Sequence, residues 1–525
     1  MDSKKIRTVI EKRLSGLVLA ILVIQPMLDV LSYFLSELGS NSISTLLRFA
    51  ILAAVALLGF VVSGKKKVYL IFYGVMAGYW ILHAANCFRV GYTSFVADTA
   101  NFLRIMSFPI FVLSFITFFE HGKKVRRAIC TGFAVNFLEV VLFTALPWAL
   151  RRPVYTYEEL EVGVMGWFGV SNAQSAIIVL IVPLALFFAY RTKKYWAYLA
   201  SAVLCFGLMF LTGTKFTFYS IFIIAGALMF LFVLNLKKRS IRYVAPLLAV
   251  LVLAVALKPY SPMQRRETMS AHARGVYEER VEESLESSGT DQELIQSVKE
   301  GNIQSISSDD EKLAKLRRSL MGVYTDPDIY GPFLGNLHQR FGVYNVMAAY
   351  DYTTEPTILS DSRVRKATFA KLVWDEKDLP TKLLGFEYSD MLMGEATYDL
   401  ENDFPAVFYF CGYLGFAIYL LFCLYFVFVI IRALVADIRR ELPQKRAEKR
   451  LGQVKGTGKA LLSGFQRFMT IETGVVGMTF LLAVIAAQIS GNVLRRPNVT
   501  PYFAVAAAYL YELCRRPKPS DEEEF

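Results

Sequence analysis

The residues best suited to chemistry in this 525-residue sequence fall into three groups. The first is Glu401-Asn402-Asp403-Phe404-Pro405, preceded by Arg363, Arg365 and Lys366 in the stretch from Leu359 to Trp374. Asp403 reads as a helix N-cap with Pro405 in the first turn, which accounts for it structurally. A cap does not account for Glu401. The second group is the turn Thr212-Gly213-Thr214-Lys215. Two hydroxyls, a glycine and a lysine opening a helix make an anion site, because backbone N–H groups and the helix dipole favour phosphate there. The same lysine also reads as an interfacial anchor. The third group is ionisable residues in or beside apolar runs: Asp29, one turn beyond Pro26, with Arg48, Arg104 and Glu139. Such residues are costly at membrane depth and by default point to function. Two readings stay open for them: they pair to set helix packing, or they line an aqueous cavity open to the outside.

These groups need elements to hold them, and composition says which kind. Apolar residues make up 55% of the chain and charged residues 19%, with a mean hydropathy of +0.41. An ordinary globular protein is about 25% charged. This excludes a disordered chain, a disulfide scaffold and an ordinary cytosolic enzyme, and leaves a polytopic membrane protein. The six cysteines (Cys87, Cys130, Cys205, Cys411, Cys423, Cys514) lie in or beside apolar runs with no CxxC pair, and read as core hydrophobes. With four scattered histidines, neither a zinc site nor another metal is expected. The net charge of +12 would suggest nucleic acid on a soluble chain. Here it reads as a record of topology, with no nucleic-acid partner.

A crossing helix needs about 20 mostly apolar residues. Twelve runs qualify: 14–36, 43–63, 68–88, 101–119, 128–150, 172–190, 195–212, 216–236, 241–257, 404–435, 467–490 and 499–514. The first follows a basic stretch, is longer than a signal-peptide core and lacks a small-x-small cleavage site, so it is expected to remain as an anchor. Alternate connections are basic: Lys65-Lys66-Lys67, Lys123-Lys124 with Arg126-Arg127, Arg191 with Lys193-Lys194, Lys237-Lys238-Arg239 with Arg242, the run 437–467, and Arg515, Arg516 and Lys518. By the positive-inside rule both termini are cytoplasmic.

The expected fold class is therefore an all-α integral membrane protein of about twelve transmembrane helices. Spans one to nine occupy 1–257 and spans ten to twelve 403–514, with a cytoplasmic basic loop at 436–466 and a tail at 515–525. Between spans nine and ten, residues 258–402 form one large, mainly helical extracytoplasmic loop holding 17 Lys/Arg and 25 Asp/Glu. Its stretch 271–320 reads as helix, broken near Ser287-Ser288-Gly289. A loop of this length in a compact protein is usually functional.

The layout resembles the O-antigen ligase and O-antigen polymerase superfamily of polytopic, GT-C-like membrane glycosyltransferases. Local motifs are similar too. Gly166-Trp167-Phe168 followed by Asn172-Ala173 resembles the family segment opening its sixth span, and Lys215 sits where the family has a basic residue. Arg363 with the later Leu384-Gly385 resembles the family's loop arginine and its trailing turn. Glu401-Asn402-Asp403 followed by Gly412 and Gly415 resembles its His-Asn segment and Gly-x-x-Gly helix. The ligases have arginine where this chain has Lys215 and histidine where it has Glu401. Lysine keeps the charge but loses the bidentate fork, and glutamate starts about two pKa units below histidine. The pattern looks more like the polymerase-type or Gram-positive branch.

The resemblance implies transfer or polymerisation of an undecaprenyl-diphosphate-linked glycan onto a glycan or glycolipid acceptor, on the outer face of the bacterial cytoplasmic membrane. No cofactor is implied, neither a nucleotide sugar nor a metal. Arg363 and Lys215 would hold the diphosphate with Arg104 and Arg48 as helpers. Glu401 would be the general base with Asp403 orienting it or capping the helix, and Asp29 and Asn172 would line the cavity. A flippase and a chain-length regulator are the expected protein partners. The alternative is a lipid-linked oligosaccharide flippase or transporter, which would be expected to show internal pseudo-repeats.

Overall fold

The computed structural model describes residues 3–39, 42–235, 241–287, 296, 310–450, 457–489, 491 and 493–515. The chain is an all-α integral membrane protein. The twelve expected spans fall on twelve helices: α1 (Ser3–Glu37), α2 (Ser42–Val62), α3 (Lys66–Val90), α4 (Phe95–Glu120), α5 (Lys123–Ala149), α6 (Ser171–Arg191), α7 (Tyr195–Thr212), α8 (Lys215–Leu234), α9 (Val244–Ala256), α17 (Asp403–Arg450), α19 (Ile471–Ile489) and α20 (Thr500–Arg515). Ten of these regions are long and apolar enough to cross a membrane. The other two are shorter: α9 has 13 residues and α20 has 16. A further helix, α18 (Thr457–Phe468), lies in the basic connection. Lys237-Lys238-Arg239, Arg516 and Lys518 lie outside the described residues.

Two boundaries differ from the sequence expectation. The fourth span starts at Phe95 rather than 101, because Asp98 sits in its first turn, where a carboxylate favours the positive helix end. Arg104 is therefore about two and a half turns inside the helix rather than in its first turn. The tenth span does not end with its apolar run but continues as helix to Arg450, and it is interrupted at Gly412 (φ +60°, ψ −174°).

The chain divides into two compact units. The first holds residues 1–78, 102–265 and 417–525. Its helices pack as membrane helices do, through small residues that let backbones approach. A Cβ on Gly132 of α5 would lie 2.9 Å from Leu22 of α1, so the close approach of these two helices needs glycine. Helix α6 is the most enclosed, buried from Ala173 through Phe187 against α5, α7, α8 and α19.

The second unit holds residues 79–101 and 266–416. The long loop supplies α10 (Pro262–Ser287), α11 (Asp310–Thr325), α12 (Gly331–Phe341), α13 (Val343–Ala349), α14 (Pro356–Leu359), α15 (Ser362–Glu376) and α16 (Leu379–Leu384), and a hairpin of β1 (Leu392–Met393) and β2 (Ala396–Thr397). The description of α10 runs to Ser287; the break expected near Ser287-Ser288-Gly289 falls where Ser288 and Gly289 lie outside the described residues. Leu316, Leu320, Val323 and Tyr324 recur at helical spacing on α11 and are buried, which gives this unit a core of its own. Tyr277 stacks on Tyr330 at 6.0 Å, and the Tyr324 and Tyr330 hydroxyls donate to the carbonyls of Thr353 and Thr354.

Candidate functional site

Helix α15 sets the main constellation. The Asp361 side chain caps it, accepting hydrogen bonds from the backbone N–H groups of Arg363 and Val364. Arg363 and Lys366 then stand three residues apart on one face, the spacing at which helical side chains meet a common partner. That partner is Glu401. Arg363 Nε donates to Glu401 Oε2 at 2.8 Å and Lys366 Nζ donates to Oε1 at 2.9 Å. The three side chains are 35%, 23% and 18% exposed, so the cluster opens to solvent on the arginine side. Its formal charge is +1. Burial pushes the Glu401 carboxyl up, but the Lys366 ammonium and the Arg363 guanidinium outweigh it and hold the carboxyl below its ordinary value.

The neighbouring residues have distinct placements. Arg365 is engaged elsewhere, donating to the Phe333 carbonyl at 3.3 Å and lying over the Phe333 ring. Asp403 is fully buried and is the first residue of α17; the cap position falls one residue earlier, on Asn402, whose carbonyl accepts from Ala406 N–H. Asn402 Oδ1 is buried and has no partner among the described residues. Phe369 of α15 stacks on Tyr398 at 4.1 Å, anchoring the strap that carries Glu401.

The glycine pattern near this site has a steric cause. Gly385 (φ +85°) lies against the backbone of Phe410 and Cys411, and Gly412 (φ +60°) against Leu383 and Gly385; a Cβ at either would collide with main-chain atoms. The break at Gly412 thus makes room for the Leu384-Gly385 turn. The Tyr79 hydroxyl lies 2.8 Å from the carbonyls of both Leu384 and Cys411, and a Cβ on Gly415 would lie 2.8 Å from the Tyr79 ring. The turn joining α3 and α4 is tied to the same segment: Thr93 and Ser94 N–H groups donate to the Glu387 carboxylate, and Tyr388 N–H donates to Asp98 Oδ1.

The first unit holds the other expected residues. Arg48 Nη2 donates to Asp29 Oδ1 at 2.7 Å, with side chains 10% and 8% exposed, so these two pair as one of the sequence readings allows. Buried polar atoms left without partners among the described residues include Arg48 Nη1, Asn136 Oδ1, Glu139 Oε2 and both amide atoms of Gln174. Arg104 is half-buried, and its guanidinium forms no hydrogen bond or ion pair among the described residues.

The Thr212–Lys215 turn is built as expected at its backbone. Gly213 is left-handed (φ +76°), and the Thr214 side chain caps α8 by accepting from Thr217 N–H. Thr214 also pairs with Ser175 of α6 at 2.9 Å, and the Thr212 carbonyl accepts from the Thr156 hydroxyl. Lys215 itself is exposed. Asn172, half-buried, is the second residue of α6, after Gly166 (φ +80°), where a Cβ would strike the backbone of Phe143 and Thr144.

The structure therefore joins Arg363 with Glu401 and Asp29 with Arg48. It adds Lys366, whose signal in the sequence is its one-turn spacing from Arg363. It also shows a buried His83, Cys87 and Asp98 group, of which the sequence reading takes Cys87 as a core hydrophobe and does not single out the other two.

Comparison with protein families matches residues 11–464 to the family described as O-antigen ligase like membrane protein. Comparisons with curated proteins and with solved structures return no match. The matched stretch contains every candidate site residue from Asp29 to Asp403, and the chain belongs to the O-antigen ligase-like membrane protein family.

Proposed function

We propose that this protein transfers or polymerises an undecaprenyl-diphosphate-linked glycan on the outer face of a bacterial cytoplasmic membrane. The observation that carries the reading is the Arg363–Glu401–Lys366 cluster, two cations converging on one carboxylate in a chain of this family. The acceptor hydroxyl oxygen attacks the anomeric carbon of the donor sugar, the bond from that carbon to the phosphate oxygen breaks, and undecaprenyl diphosphate leaves. Stabilising the charge on the departing diphosphate usually does most to lower the barrier of such a step. Arg363 and Lys366 supply that stabilisation; Lys215, Arg104 and Arg48 are assigned to the diphosphate by the family resemblance alone. Glu401 takes the hydroxyl proton.

The ion pairs couple these roles. With both cations on it, Glu401 is a weak base. A diphosphate competes for Arg363 and Lys366, and as it draws them away the basicity of Glu401 rises where the acceptor needs it. Asn402 Oδ1, unpartnered among the described residues beside Glu401, is available to orient a substrate hydroxyl. Asp403 holds the start of α17. The acceptor is a glycan or glycolipid, and a flippase and a chain-length regulator are the expected partners.

The test is transfer by purified protein in proteoliposomes supplied with lipid-linked donor and acceptor on both faces. Wild type should form product, and Glu401→Gln and Arg363→Ala should abolish it while remaining in the membrane. Product from Glu401→Gln at the wild-type rate would remove the base assignment. Absence of product from wild type, with donor translocated, would favour the flippase reading.

A further inference from the structure

The group on the outer turns of α3 and the first turn of α4 has a role that the transfer reading does not use. His83 and Cys87 are four residues apart on α3 and so share one face. Asp98 faces them from α4, and the three residues are 1%, 1% and 2% exposed. His83 Nε2 is 2.9 Å from Asp98 Oδ2 and 3.5 Å from Cys87 Sγ, and the three donor atoms lie within 4.8 Å of one another.

The hydrogen-bond pattern around them fixes the electron pairs. His83 Nδ1 is 2.7 Å from the Leu384 carbonyl, an acceptor only, so Nδ1 carries a hydrogen. Nε2 then faces a carboxylate oxygen and a sulfur. A nitrogen, a carboxylate oxygen and a sulfur converging in a dry site suit a cation between them. A proton on Nε2 would serve the histidine and the carboxylate and leave the thiol a bystander. A metal serves all three.

We propose that His83 Nε2, Cys87 Sγ and Asp98 Oδ2 form a structural zinc site. Tetrahedral zinc with bonds of about 2.0–2.3 Å sets its nitrogen and sulfur ligands about 3.5 Å apart and its nitrogen and oxygen ligands about 3.3 Å apart. The first spacing is already present, and the second requires Asp98 to retreat by about 0.4 Å. The surrounding hydrogen bonds are those that orient metal ligands. Leu384 O holds the histidine tautomer, and Tyr388 N–H donates to the other Asp98 oxygen at 3.0 Å. The Tyr92 hydroxyl donates to Asp98 Oδ2 at 2.5 Å, and a water would take the fourth position. Binding Zn²⁺ displaces the thiol proton and the proton on Nε2, so thiolate, carboxylate and neutral imidazole balance the ion. The ion would fasten the α3–α4 turn to the Leu384–Tyr388 segment. Zinc binding here is independent of the transfer chemistry.

The test is metal content of the full-length protein, purified in detergent through a tag without histidine. Plasma mass spectrometry should find close to one zinc per chain, and Cys87→Ser, which leaves the His83–Asp98 contact in place, should lower it about tenfold or more. Cobalt substitution should give a thiolate charge-transfer band that Cys87→Ser lacks, and chelation should lower the unfolding temperature of wild type but not of Cys87→Ser. Wild-type protein that takes up neither zinc nor cobalt after dialysis would show that the cation is a proton and overturn the proposal. Metal retained unchanged in Cys87→Ser would overturn it equally.

Discussion

Glu401 is the residue on which the proposed chemistry turns, and its two ion pairs make a prediction about pH. Its carboxyl is held below the ordinary glutamate value in the free protein, so the ionised form persists as pH falls and is lost only below that value. Dependence of kcat/KM on pH reports the free enzyme, and kcat reports the substrate complex. If diphosphate draws Lys366 and Arg363 away, the Glu401 pKa rises in the complex. The acid limb of kcat should then lie at higher pH than that of kcat/KM, and coincident limbs would remove the coupling. Lys366 makes the larger of the two lowering contributions. Lys366→Gln should therefore raise the acid limb of kcat/KM toward the ordinary glutamate value. It should also weaken donor binding by about tenfold, the scale of one charge-assisted hydrogen bond. Lys215→Arg should be tolerated, because charge is kept, and Lys215→Ala should lose transfer; equal activity of the two would exclude Lys215 from the donor site.

At the scale of elements, the Gly385 turn and the Gly412 break in α17 form one interlocked feature beside the Tyr79 hydroxyl. Gly385→Ala adds a Cβ against the Phe410 main chain at φ +85°, whereas Gly394→Ala, at φ +58°, meets nothing within 4 Å among the described residues. Left-handed strain of about 1–3 kcal/mol is common to both. Only the first adds a collision, so Gly385→Ala should lower the unfolding temperature in detergent clearly more than Gly394→Ala does. Equal shifts would show that the turn yields. The helices themselves were legible, because an apolar run of bilayer length is a local signal that needs no partner. The Leu384-Gly385 and Gly412 motifs were visible too, through resemblance, but their contact was not, since it joins residues far apart in sequence. The same holds for His83 and Asp98, whose partners Leu384 and Tyr388 lie about three hundred residues away. Cys87 reads as a core hydrophobe and Asp98 carries no signal of its own, because each is ordinary in its own neighbourhood. Lys366 was visible beside Arg363, and only the folded path of 398–402 shows that both reach Glu401.

For the whole molecule, the question is which side of the membrane the Glu401 cluster faces, and charge gives the expectation. The loop 258–402 carries a net charge of −8 and the rest of the chain +20, with the basic residues crowded into alternate connections. Cytoplasmic loops hold the excess of lysine and arginine, so the acidic loop should face outward. Two exposed positions can report its side: Glu395 in the hairpin of the loop and Arg440 on the basic stretch of α17. Cys130, Cys423 and Cys514 are partly exposed and would first be changed to serine, while Cys87, Cys205 and Cys411 are buried and can stay. In that background Glu395→Cys should react with a membrane-impermeant maleimide in intact cells. Arg440→Cys should react only after the membrane is opened. The reverse pattern would turn the Arg363–Glu401–Lys366 cluster toward the cytosol, where nucleotide sugars are at hand and a lipid-linked donor would not need to have been flipped. The outward reading and the transfer reading therefore stand on one labelling result: a site that accepts an already flipped, lipid-linked glycan has to be reached from outside.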